Sequence, residues 1–155
     1  DFRYYPDFTG LNFMMYIASL KGLNGKIAKK RCLDLLIQVG LDDVKNKKIR
    51  KYSGGMKQRL GIAQAMINNP EILILDEPTA AIDPLKEMEM LLHFKDILSD
   101  RTAILISHRI GFARLADRII IMDKGEIIES GTHDELMQLN GLYKKLFDSQ
   151  KELYI

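Results

Sequence analysis

The chain has 155 residues, 46% hydrophobic and 28% charged, and a formal net charge of +2. That length favours one domain or a large part of one with a real core, and so small a net charge gives no argument for nucleic acid as a partner. The single cysteine, Cys32, rules out an internal disulfide framework and fits a reducing compartment.

No apolar run approaches the roughly 18–20 residues that cross a bilayer, and no signal peptide is visible. The chain begins with Asp1. Either its start has been removed or it is a portion of something longer.

Residues 1–50 read as helical. Thr9 is an expected N-cap, followed by Leu11, Met14, Met15 and Ala18 at helical spacing and by Gly22 as a stop. A second helix places Ala28, Cys32, Leu36 and Val39 on one face, with Gly40 after it. The basic residues Lys26, Lys29, Lys30 and Arg31, and the run Lys45, Lys47, Lys48, Arg50 and Lys51, read as a solvated face. The pattern changes after Lys51. Gly54 to Asn69 is expected to be helical, stopped by Asn-Asn-Pro. "EILILD" and "TAILISH" are short apolar runs, expected as strands buried on both faces of a parallel sheet. A helix is expected over 84–98 and a short one around 112–116. "RIIIMDKGEIIESG" reads as two strands turning at Asp123-Lys124-Gly125. Thr132 with Glu135 forms a capping box, and a last helix from Gly141 to Lys151 carries Leu142, Leu146 and Phe147. Strands alternating with helices imply an α/β architecture.

Three stretches carry chemistry. "ILILDEP" ends a strand in Asp76 and Glu77, at the strand end where parallel sheets bind ligands. Asp76 suits a magnesium ion, which takes one or two carboxylates plus phosphate oxygens. Glu77 suits a group that orients and polarises a water for attack on a γ-phosphate. The plainer reading is a polar turn after a strand. In "YSGGMKQR" the glycines allow close backbone approach, and their N–H groups with the helix N-terminus and the Ser53 hydroxyl form an anion site. The plainer reading is an ordinary glycine-containing cap. In "ILISHR", His108 follows a strand and is placed to reach a phosphate from the same sheet edge; a lone histidine is more often structural.

Taken together, "SGGMKQR", "ILILDEP", "AAID" and "SH", in this order and spacing, resemble the signature, Walker B, D-loop and H-loop elements of ABC transporter nucleotide-binding domains. The resemblance covers essentially the whole chain. It implies Ser53, Gly54, Gly55 and Met56 against ATP held by a partner subunit. It further implies Asp76 at Mg2+, Glu77 as catalytic base, Asp83 in the dimer-contact loop and His108 as γ-phosphate sensor. Met56 stands where many members have Gln, and Tyr52 where Leu is common; both are familiar or tolerable variants. The fold it implies is α/β, a partial P-loop NTPase-like domain. Residues 1–50 form part of the helical subdomain, and 51–155 carry the signature motif and the C-terminal part of a mainly parallel-sheet core.

The chain contains no glycine-rich loop ending in Gly-Lys-Ser or Gly-Lys-Thr. "DFRYYPDFTGLNFMMYIASLKG" resembles the segment after the family's Q-loop glutamine, so the chain is expected to begin past the phosphate loop. Up to about Pro78 it resembles ATPase subunits serving separate permeases. From about Ala80 it resembles exporters with membrane domain and ATPase in one chain. A composite sequence joined in "LDEPTA" is one explanation, and a single divergent lineage is the other. The resemblance implies ATP and Mg2+ as cofactors. It also implies a permease and a second nucleotide-binding domain as partners, no nucleic acid, and a peripheral place on the cytoplasmic face of the cell membrane. A non-enzymatic fragment that only binds a partner subunit or permease is the alternative.

Overall fold

The first helix starts where a side chain meets its unpaired amides. In the computed structural model, which describes residues 4–78, 98 and 101–150, the Thr9 hydroxyl accepts from Asn12 N at 3.1 Å and α1 runs Gly10–Leu20. Its C-terminus closes at Gly22, where the next residue, Leu23, donates to the Ala18 carbonyl at 2.9 Å. Helix α2, Gly25–Gln38, ends the same way: Gly40 takes φ +64° and Leu41 donates to Leu36 O at 2.8 Å. A residue with Cβ is strained at that φ, which is why glycine sits there.

The protein divides into two compact units, Asp1–Ile106 and Ser107–Ile155. In the first, α1, α2 and α3 (Gly54–Ala65) pack on one another. Ala28, Cys32, Leu36 and Val39 are buried as their spacing predicts. On α1, Met14 and Ala18 are buried, but Phe13 completes the core face and Leu11 and Met15 are only half-buried. Both edges of the stripe lie about 100° from Met14, so periodicity alone does not choose between them; packing does. Burial pushes the Cys32 thiol up, which makes it an inert core residue.

Helix α3 ends earlier than its sequence predicts. After Ala65 the chain turns, and Asn69 takes a left-handed φ of 50°. Two arginines bind α2 and α3 reciprocally. Arg31 of α2 donates to the carbonyls of Met66 (2.9 Å) and Ile67 (3.4 Å) just past α3. Arg59 of α3 donates to those of Val39 (3.1 Å) and Gly40 (2.9 Å) just past α2. Each cation thus binds carbonyls at the negative end of the other helix. Arg31 is therefore no member of a merely solvated face. Part of the later basic run is also paired: Lys48 and Arg50 approach Asp7 at 3.2 and 3.8 Å, and Lys45 meets Asp42 at 2.6 Å.

Strands β1 (Ile72–Asp76) and β2 (Thr102–Ile106) pair in parallel, with Ile72 opposite Thr102 and Asp76 opposite Ile106. Neither is buried on both faces. Leu73 and Leu75 are buried, whereas Ile72 and Ile74 are 61% and 64% exposed, and Ile104 and Ile106 are 49% and 52% exposed. Side chains alternate across a pleated strand. The apolar run therefore fills one face, and on the other it leaves isoleucines open in this chain. The helix expected over 84–98, Leu98 apart, lies outside the described residues.

In the second unit, a 3₁₀ turn, Ile110–Leu115, precedes the antiparallel hairpin β3 (Ile119–Asp123) and β4 (Glu126–Gly131). Lys124 and Gly125 both have positive φ, 49° and 84°, as a two-residue type I′ turn requires. Thr132 and Glu135 form the expected capping box on α4, His133–Leu139. The Glu129 carboxylate of β4 accepts from the N–H groups of Leu142 and Tyr143 and so caps α5, Leu142–Gln150. The buried residue of α5 is Tyr143, with Phe147 beside it, while Leu142 and Leu146 are exposed. Ile110, Ile119, Leu136 and Tyr143 form this unit's core, and the Tyr143 hydroxyl lies 2.7 Å from His133 Nδ1.

Candidate functional site

The site begins where β1 stops. Asp76 is its last residue and is exposed at the C-terminal edge of the parallel pair, the edge at which such sheets present ligand-binding groups. Glu77 then leaves the strand with a left-handed φ of 45°, a conformation uncommon for a residue with Cβ. Its N–H still donates to the Ile106 carbonyl at 2.8 Å, which extends the ladder by one bond. Its carbonyl accepts from Gln58 Nε2 at 3.0 Å. One side of this residue's backbone is thus tied to β2 and the other to α3.

At the start of α3 the Ser53 hydroxyl accepts from Met56 N at 3.3 Å, and Ser53 N lies 3.4 Å from the Met56 sulfur. Methionine therefore closes the box that Glu or Gln usually closes, through a weak acceptor. A hydroxyl that accepts keeps its own hydrogen for donation. The N–H groups of Gly54 and Gly55 belong to the first helical turn, where no helical carbonyl is available to them. Gly54 is exposed, Gly55 half-buried, and the first turn has no acidic residue. The positive end of the helix, two accessible amides and a hydroxyl form an arrangement suited to a phosphate oxygen.

Asp76 fits a magnesium ion only as a shared ligand. Among the described residues no group of three His, Cys, Asp or Glu can hold a metal, and no ion pair involves Asp76. An exposed single carboxylate matches an ion that takes most of its shell from phosphate and water. His108 belongs to the second unit. Its carbonyl accepts from Gln150 Nε2 at 2.9 Å, and Gln150 Oε1 accepts from Ile110 N at 3.0 Å, so the end of α5 pins this loop. Asp83 lies outside the described residues. In the first unit one bond, from Gln58 to the Glu77 carbonyl, thus ties the strand end that carries both carboxylates to the glycine-fronted helix. Gln58, which makes the bond, sits inside the quoted "SGGMKQR" but carries no role in the sequence reading. Its only signal is its place one turn beyond the glycines.

A parallel strand pair ending in two carboxylates, bonded to a glycine-fronted helix, is part of a nucleotide-binding α/β domain. The family model for the ABC transporter matches residues 3–80. Among curated proteins, the leukotoxin translocation ATP-binding protein LktB of Mannheimia haemolytica is 41% identical over 138 residues, as are its namesakes from Bibersteinia trehalosi and Mannheimia glucosida. These alignments cover 88% of this chain and 18% of each relative. The solved structure of a bacterial Atm1-family ABC exporter with ATP bound superposes with a TM-score of 0.75 at 28% identity, over 93% of this chain and 26% of that one. The chain belongs to the ABC transporter family, with the fold of a partial P-loop NTPase-like domain. It spans 18% of the length of the curated relatives it matches. An alignment of 138 residues in a chain of 155 runs through "LDEPTA", so one curated relative matches both sides of that junction.

Proposed function

We propose that this chain carries ATP-binding and ATP-hydrolysing elements of an ABC exporter and serves to couple hydrolysis to transport through a membrane domain. The observation that carries this reading is the bond from Gln58 of α3 to the Glu77 carbonyl, which ties the strand end bearing Asp76 and Glu77 to the glycine-fronted helix. Ser53, Gly54 and Gly55 donate to the terminal phosphate of an ATP held by a second nucleotide-binding domain, and Met56 holds the cap that aims them. Asp76 is the residue that would hold Mg2+, which when bound neutralises phosphate charge. Glu77 orients the attacking water and takes its proton. His108 contacts the γ-phosphate, and Asp83 lies in the loop facing the partner domain. Catalysis in such a site is positioning and electrostatics. Residues 1–50 act as helical subdomain and 51–155 as signature motif and catalytic core. The partners are a permease and a second ATPase domain, not nucleic acid, and the place is the cytoplasmic face of the membrane. No helix among the described residues is long and apolar enough to cross it.

The 155 residues include no Gly-Lys-Ser/Thr loop, so the chain alone is expected to turn over no ATP. Phosphate release that Glu77→Gln abolishes would overturn that expectation. The functional reading is tested by complementation. An intact ATP-binding domain inactivated only in its own signature serine is mixed with this chain. ATPase activity is expected to return and to disappear again with Ser53→Ala plus Gly55→Asp. No return of activity with a folded chain refutes a working signature motif. It leaves the reading that the same absence of a phosphate loop favours, a non-enzymatic module that binds a partner.

A further inference from the structure

The geometry points to Gln58 as the positioning residue for Glu77, an inference that rests on the reading of Glu77 as base. Glu77 sits at φ +45°, a backbone conformation that persists only where its surroundings impose it. Two backbone bonds help to hold it there. Ile106 O takes the N–H at 2.8 Å, and Gln58 Nε2 reaches the carbonyl at 3.0 Å. The two peptide planes that meet at the Glu77 Cα are therefore anchored on different elements, one on β2 and the other on α3. The direction of the Cα–Cβ bond, and with it the carboxylate, follows from both anchors. Without the Gln58 bond the Glu77 carbonyl loses its tie to α3, and the left-handed backbone that sets the direction of Cβ is held less firmly.

Gln58 is the fifth residue of α3. Little more than one helical turn separates its amide from the N–H groups of Gly54 and Gly55. A displacement of the α3 N-terminus on binding a phosphate is passed along a rigid turn to the Glu77 carbonyl. Gln58 thus links the anion-binding end of α3 to the pose of the carboxylate, without itself touching the reacting atoms.

The test uses amide hydrogen exchange by NMR on the 155-residue chain. In Gln58→Met the Glu77 N–H keeps its own bond to Ile106 O, but with the carbonyl side of the residue loosened it is expected to lose about tenfold in protection, the scale of one hydrogen bond. The amides of Phe13 and Leu35 in the helical core keep their protection. Gln58→Glu keeps the length of the side chain but donates only when protonated. Its Glu77 protection is therefore expected to be native-like at acid pH and lost at neutral pH, a dependence that a purely steric role does not produce. Unchanged Glu77 protection in both variants, or an equal loss throughout the core, overturns the proposal. The measurement needs no turnover, so either outcome is separate from whether Glu77 is the base, which Glu77→Gln decides.

Discussion

Gly10 and Tyr52 meet in the core of the first unit, and their substitutions are expected not to add. Tyr52 is 4% exposed, and its hydroxyl donates to the Val44 carbonyl at 2.8 Å. Tyr52→Phe leaves that carbonyl with only its bond from Lys47 N, at 2.8 Å, and the lost hydroxyl bond costs about 1 kcal/mol. Gly10 is the first residue of α1, and a Cβ there would sit on the Tyr52 hydroxyl oxygen and 3.3 Å from ring Cζ. Gly10→Ala therefore overpacks, at about 1–3 kcal/mol, against a helix-propensity gain of at most about 1 kcal/mol. Its net effect is a loss of about 1 kcal/mol. In the double variant the oxygen is gone, and the ring needs to give only a few tenths of an ångström. The alanine then shows its helix preference, so the double variant is expected to be no less stable than Tyr52→Phe alone. The coupling is about 1–2 kcal/mol, read from urea unfolding followed by circular dichroism at constant m-value. Additivity within about 0.5 kcal/mol would refute the contact and the reasoning built on it.

Burial, and then the Asp43 charge, push the Tyr52 hydroxyl above its ordinary 10.0. The stability it contributes is full below pH 10.0 and falls as pH rises through the higher folded-state value; alkaline unfolding of Tyr52→Phe should lack that fall. Arg59→Ala removes two bonds at the end of α2 and is expected to cost about 1–3 kcal/mol, with Arg59→Lys recovering part of it in the same unfolding assay. The Thr132 backbone N–H, then its side chain, hold the Glu135 carboxyl below its ordinary 4.5. Its contribution is present above pH 4.5 and is lost as pH falls through the lower folded-state value; Glu135→Gln should flatten that part of the acid-unfolding profile.

Local chemistry made much of this fold readable. Thr9 and Thr132 cap helices because their hydroxyls reach amides three residues on, and Lys124-Gly125 turns because both residues tolerate positive φ. Such signals lie within a few residues of one another, so a sequence displays them. The reciprocal arginines do not. Arg31 reads as one more charge in a basic run, and its partners at Met66 and Ile67 lie 35 and 36 residues away. The half-open sheet was also hidden, because a run such as "ILILD" is equally apolar whether one face or two are covered. Of the candidate site, the residue types at Ser53, Asp76 and Glu77 were legible from the motifs they form. The bond from Gln58 to a backbone carbonyl 19 residues away was not, since a carbonyl carries no sequence signature.

The isoleucines of β1 and β2 bear on how these 155 residues behave when produced by themselves. An apolar face of that kind is what holdase chaperones bind and what draws copies of a polypeptide together. The yield of dispersed material should then depend on whether a covering surface is supplied alongside.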